Sequence, residues 1–189
     1  MKRKFGDIVE SHNKMLEALK DIEHEIMSAC DAAVKCIKSG GKILFCGNGG
    51  SAADAQHLAA EFIGRFMIDR APIPAFALTT DSSILTCVSN DYSFDDVFSR
   101  QVSALCNKND LLVGISTSGN SKNVVEAVKS AKKNGAITIG MLGKDGGALM
   151  DLVDFPICIA HPETARIQEG HIMIGHFMCE IIESSVVDR

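Results

Sequence analysis

The sequence predicts an α/β fold, a doubly wound five-stranded parallel sheet with helices on both faces and an N-terminal helical arm. Three observations predict it. Short, continuously apolar runs rich in β-formers alternate with amphipathic segments, the pattern of βαβ units whose strands are buried on both faces. Two glycine- and hydroxyl-rich loops each follow a strand candidate and lead directly into a helix, as loops do at the carboxyl ends of such sheets. A length of 189 residues suits a single core of this kind.

Taken in order, residues 4–38 carry Phe5, Ile8, Val9, Met15, Leu16, Leu19, Ile22, Ile26, Met27, Cys30, Val34 and Ile37 at helical spacing, and Gly40-Gly41 ends the run. This predicts one long helix or two in succession. Residues 1–40 therefore read as a helical arm, a natural surface for pairing with another subunit, and residues 41–189 as one globular unit. Strands are expected over 42–46, 74–78, 111–115, 136–141 and 155–160, where the apolar runs are short and unbroken. Helices are expected over 51–66, 82–89, 94–106 and 121–134, with a short one near 146–150 and a final one over 164–185. Lys132-Lys133-Asn134-Gly135 closes the fourth of these with positive charge and a glycine stop, as the helix dipole and C-cap preferences require.

Composition excludes several classes of function. The net charge is −5, and beyond the Lys2-Arg3-Lys4 start no basic cluster exceeds a pair, so the footprint of a nucleic-acid binder is missing. With no Trp and a single Tyr92, stacking platforms for bases are scarce too. Charges at Lys2, Arg3, Lys4, Asp7 and Glu10 leave no stretch for a signal peptide, and no apolar run approaches the ~18 residues of a membrane span. We expect a cytoplasmic protein without membrane or nucleic-acid partners. Its seven scattered cysteines, mostly inside apolar segments, read as small hydrophobes in a reducing compartment.

Three constellations carry chemistry. Gly47-Asn48-Gly49-Gly50-Ser51 follows the first strand; its glycine spacing is neither that of a dinucleotide site nor of a P-loop, so it is a tight turn or an anion-approaching loop at a helix start. Ser116-Thr117-Ser118-Gly119-Asn120-Ser121 follows the third strand. Capping a helix needs one hydroxyl, and Ser121 alone would serve; a run of four suits a phosphate monoester, met by hydroxyls and backbone amides. His57 and Glu61 stand i, i+4 on one helix face among apolar neighbours, where a carboxylate is costly unless a cation or hydrogen bonds satisfy it. The last helix adds Gln168, Glu169, His171 and His176, and together with His57 and Glu61 these suggest a zinc-type site of imidazole and carboxylate. Gln168 and His176 are eight residues apart, a rise of roughly 12 Å, so they share one ion only if their side chains lean together or different subunits supply them.

These three motifs, with Arg166-Ile167-Gln168-Glu169 before His176, resemble the sugar isomerase (SIS) domain, a flavodoxin-like fold, and within it the bacterial phosphoheptose isomerase family. The likeness covers essentially the whole chain. It implies a homotetrameric cytoplasmic enzyme with one zinc ion per subunit, converting sedoheptulose 7-phosphate, a phosphorylated seven-carbon sugar, into D-glycero-D-manno-heptose 7-phosphate for lipopolysaccharide or other surface glycans. By the same resemblance the metal ligands are His57, Glu61, Gln168 and His176. Substrate contacts fall on Asn48, Gly49, Gly50, Ser51, Glu61, Arg65, Asn90, Asp91, Ser116, Thr117, Ser118, Ser121 and Gln168. Glu61 is the implied base and His176 the acid of an aldose–ketose isomerisation through an enediol. Where some relatives carry an acidic residue just before Arg166, this chain has Thr164-Ala165. A non-catalytic relative that regulates replication initiation as a protein partner is the alternative, and the survival of all four ligand positions speaks against it.

Overall fold

A computed structural model describes residues 3–186, so Lys2 of the basic start and the last three residues of the 41–189 unit lie outside the described residues. Five strands form one parallel sheet: β1 (Ile43–Gly47), β2 (Ala75–Ala77), β3 (Leu111–Ser116), β4 (Ile137–Gly143) and β5 (Phe155–Ile159), in the order β2-β1-β3-β4-β5. β1 pairs on one side with β2 (Ile43 opposite Ala75) and on the other with β3 (Ile43 opposite Leu111). This is the doubly wound arrangement expected, and its strand order is the flavodoxin-like one.

Burial on both sides explains the unbroken apolar strands. Ile43, Phe45, Leu111, Val113 and Ile115 point into one core layer, beneath α1 (Phe5–Lys20), α2 (Glu23–Lys38), α3 (Gly50–Ile63) and α7 (Thr164–Val186). Their neighbours Leu44, Cys46 and Leu112 point the other way, beneath α4 (Ser82–Asp91), α5 (Ser99–Leu105) and α6 (Lys122–Lys133). The period of two in a strand therefore feeds two cores at once. Met15, Ala29, Cys30 and Ala33 of the helical arm are buried in the first layer, against the same sheet.

Three expected elements differ, the first being the helix expected over 51–66, which stops at Ile63 with Gly64 in the C-cap position. The helix expected over 94–106 is a 3₁₀ turn at Phe94–Asp96 followed by α5, because Ser93 accepts from the Asp95 amide and donates to Asp96 Oδ2, local bonds that compete with helix continuation. The short helix near 146–150 is a 3₁₀ turn at Gly147–Leu149, entered through Gly146 and Gly147 at φ +82° and +51°, values no right-handed α-helix takes. The arm is two helices, with the break at Asp21–Ile22. Among the described residues, no helix is long and apolar enough to cross a membrane.

Candidate active site

Strand order reverses between β1 and β3, so the loops leaving these strands diverge and open a crevice at their carboxyl ends. The first and second sequence motifs are those two loops. Gly47 must be glycine because a Cβ there would stand 2.8 Å from Ser51 and 3.0 Å from the Ile115 carbonyl oxygen. At φ 58° and ψ −119°, Gly49 holds a conformation that side chains rarely adopt, and α3 starts immediately after it. The first loop is tied across the crevice to the first turn of the helix that follows β3: Asn48 Nδ2 donates to Asn123 Oδ1 at 2.8 Å, and Asn123 Nδ2 donates back to Asn48 Oδ1 at 2.9 Å. Ser51 is buried at the first turn of α3.

The β3 loop is laid against the turn that follows β4. Gly119 has φ +65°, and its Cβ would fall 1.8 Å from the Gly146 oxygen, so only glycine allows this approach. The Leu149 amide donates to the Gly119 carbonyl and the Ala148 amide to Asn120 Oδ1, each at 3.0 Å. Ser121 occupies the N-cap position of α6 without a side-chain cap bond. Its hydroxyl pairs instead with that of Ser116 at 2.9 Å, while Ser118 Oγ accepts from the Asn120 amide. The two ends of the loop thus meet hydroxyl to hydroxyl ahead of the α6 N-terminus, with Thr117 half-buried between them.

The third motif assembles from two helices. α3 supplies His57 and Glu61, and α7 supplies His176; one ligand atom from each lies within 4.8 Å of the others. His57 Nε2 is 2.9 Å from His176 Nε2 and 3.4 Å from Glu61 Oε1. The approach needs Gly175, where a Cβ would fall 2.6 Å from Leu58. Phe66 stacks on the His176 ring at 5.5 Å and 24°. One turn before His57, Asp54 keeps one buried carboxylate oxygen without a partner; burial pushes its carboxyl up, against the pull of His57 and His176. Two facing imidazole nitrogens and a carboxylate form a donor set that fits a divalent cation.

Gln168 lies beside the glycine loop, where a Cβ on Gly50 would come within 2.3 Å of its Nε2, and it precedes His176 by two turns of α7. Arg65 is exposed one turn after Glu61, and Asn90 and Asp91 are exposed at the end of α4, with Asn90 Nδ2 donating to Asp91 Oδ1. His171 belongs to the core. It is fully buried with Nε2 bonded to the Leu142 carbonyl at 2.9 Å, and burial pushes its pKa down to about 4. Glu169 is engaged by Arg166 and His12. Sequence reasoning missed Asp54, Phe66 and Asn123. Asp54 alone had a local signal, its i, i+3 spacing to His57 on the same helix face.

Residues 8–143 match the SIS domain. The chain belongs to the SIS domain family. This SIS protein is 49% identical over 178 residues to a phosphoheptose isomerase of Clostridium acetobutylicum, covering 94% of the chain and 90% of its relative. A solved phosphoheptose isomerase from Neisseria gonorrhoeae is 48% identical and superposes with a TM-score of 0.88, over 95% of this SIS chain and 96% of that one. A phosphoheptose isomerase structure from Francisella tularensis superposes at 0.91 with 37% identity, over the same shares of the two chains.

Proposed function

We propose that the protein isomerises sedoheptulose 7-phosphate to D-glycero-D-manno-heptose 7-phosphate, the step that commits carbon to the heptose of lipopolysaccharide or other surface glycans. The gathering of His57, Glu61 and His176 from α3 and α7, with α3 starting directly from the first crevice loop, carries this reading, in a chain about half identical to proteins named phosphoheptose isomerase. The alternative of a non-catalytic partner protein has no observation in its favour.

The chain's own residues supply the steps. The phosphate is received by Ser116, Thr117, Ser118 and Ser121 and the free amides at the start of α6, donors that suit an anion without adding a fixed positive charge. Asn48, Gly49, Gly50 and Ser51 line the sugar chain, with Gln168, Arg65, Asn90 and Asp91 as further contacts. Glu61 takes the proton from C1 of the open-chain ketose and returns it at C2. His176 moves the accompanying proton between the two oxygens. A carboxylate beside carbon and an imidazole beside oxygen divide the acid–base work of an enediol pathway.

Zinc, one ion per subunit, is the metal we assign to His57, Glu61 and His176, with Gln168 as fourth ligand once its side chain leaves Gly50 or a neighbouring subunit supplies it. When bound, such an ion polarises the sugar's oxygens. The protein works as a cytoplasmic homotetramer without nucleic-acid or membrane partners, its arm of residues 1–40 joined to a single SIS unit over 41–189.

The test is incubation with sedoheptulose 7-phosphate in deuterated buffer, before chelation, after it, and after zinc is restored. The aldose should form with solvent deuterium at C2, stop on chelation and resume with zinc. No aldose from the zinc-restored protein would sink the proposal.

A further inference from the structure

Beyond the clustered site, α7 carries a buried charge near its end, Glu183, with a side chain only 1% exposed. Its carboxylate accepts three consecutive backbone amides from the segment after α3: Phe66 at 3.0 Å, Met67 at 2.8 Å and Ile68 at 3.0 Å. Arg70 lies against it, Nε 3.1 Å from Oε1 and 5% exposed, close enough for charge attraction but not aligned as a hydrogen bond. Burial pushes the Glu183 carboxyl up, yet the amides of Met67, Phe66 and Ile68 and the charge of Arg70 outweigh it and hold the group below its ordinary range. The other end of Arg70 caps α3. Nη1 donates to the Phe62, Ala71 and Gly64 carbonyls at 2.8, 3.2 and 3.3 Å, and Nη2 donates to the Glu61 carbonyl at 3.0 Å. A helix leaves its last carbonyls without intrahelical partners, and the guanidinium fork takes them.

We infer that the Arg70–Glu183 pair is a positioning device for the acid–base residues, holding the ends of α3 and α7 so that Glu61 and His176 keep their relative placement. Arg70 bonds the backbone of Glu61 itself. Glu183 fixes the backbone of Phe66, whose ring stacks on His176. Each reactive side chain is therefore one step from the same buried pair. Stability alone does not account for the arrangement, because well-packed apolar residues often replace a buried ion pair with no loss. What apolar packing lacks is direction, whereas five directed bonds at 2.8–3.0 Å, including one to Glu61, tie the pair to the end of α3 and the segment after it. The inference rests on the isomerase reading for the roles of Glu61 and His176.

The test uses the full chain with Glu183→Gln, which keeps the shape and loses the charge, and Phe66→Leu, which leaves the pair intact and removes the stacked ring. Well below melting, kcat on sedoheptulose 7-phosphate should fall about 10- to 100-fold, the scale of a misplacement near 1 Å, with KM changed less than about twofold. In the metal-free Glu183→Gln protein, whose Phe66 ring is retained, the imidazole NMR signal of His176 should move while that of core-buried His171 stays. Folded variants with parent-like kcat, or His171 and His176 signals moving together, would overturn the positioning role. Should Glu183→Gln fail to fold, Arg70→Lys, which keeps the charge and loses the fork on the Phe62 and Glu61 carbonyls, decides by the same two readings. A parent protein without isomerase activity whose His176 signal still moves selectively would sink the isomerase reading and leave the positioning role standing on the NMR.

Discussion

His57 Nε2 stands 2.9 Å from His176 Nε2, and the two rings meet edge-on with their centres 5.1 Å apart. Two imidazole nitrogens at this distance either hold a hydrogen between them or turn their lone pairs on one cation. Glu61, 3.4 Å from His57 and with an oxygen within 4.8 Å of both imidazole nitrogens, favours the cation.

Removing that cation should lower melting temperature together with activity. Its ligands come from α3 and α7, so only the packed helices bind it, and a ligand at about a thousand times its Kd adds about 4 kcal/mol to folding. Thermal melts with and without chelator, at fixed protein concentration, check this. Equal melting temperatures would remove the ion from the site.

Glu61→Gln and His176→Asn should each leave a folded protein and lower turnover by roughly 10²–10⁴-fold, the usual worth of a placed acid or base. Gln keeps the shape of Glu61 but cannot take a proton. Turnover near the parent value in either variant, with the sugar still bound, would refute the roles given to these two groups.

Ser118→Ala and Ser121→Ala should raise KM more than they lower kcat, because phosphate contacts exist in ground and transition states alike. Ser121 is not a side-chain cap, so its replacement should cost less than the ~1 kcal/mol typical of a lost N-cap. Steady-state kinetics and a melt on the same preparation test both halves. A pure kcat defect would put the phosphate elsewhere.

His171 should contribute to acid sensitivity. Burial lowers its pKa from 6.5 to about 4 in the folded state, so between these values the unfolded chain holds a proton that the folded chain lacks. Stability is therefore unaffected by this group above pH 6.5, falls as pH drops toward 4, and loses nothing further from it below. At 1.36 kcal/mol per pH unit the whole fall is about 3 kcal/mol. His171→Gln, which can still donate to the Leu142 carbonyl, should flatten the denaturation midpoint across that window; an unchanged acid limb would contradict the assignment.

Strands and most helices were legible because their signals are local. A doubly buried strand is an apolar run wherever it occurs, and all five expected strands lie within two residues of the observed ends. The failures were local too: the bonds of Ser93 and the left-handed glycines at 146 and 147 override an apolar pattern that ignores side-chain bonding and φ.

The sequence by itself determined the sheet, the two crevice loops and the pairing of His57 with Glu61, since one helical turn sets that spacing whatever the helix packs against. Only the tertiary structure decided that His176 meets His57 across 119 residues while Gln168, on the same helix, rests against Gly50. It also decided that Asn48 clasps Asn123, and that Arg70 and Glu183, far apart in the chain, are buried together. Such meetings depend on how closely α3 and α7 approach and in what register. That is set by small residues such as Gly175 and by the fit of whole faces, which no local period in the chain encodes.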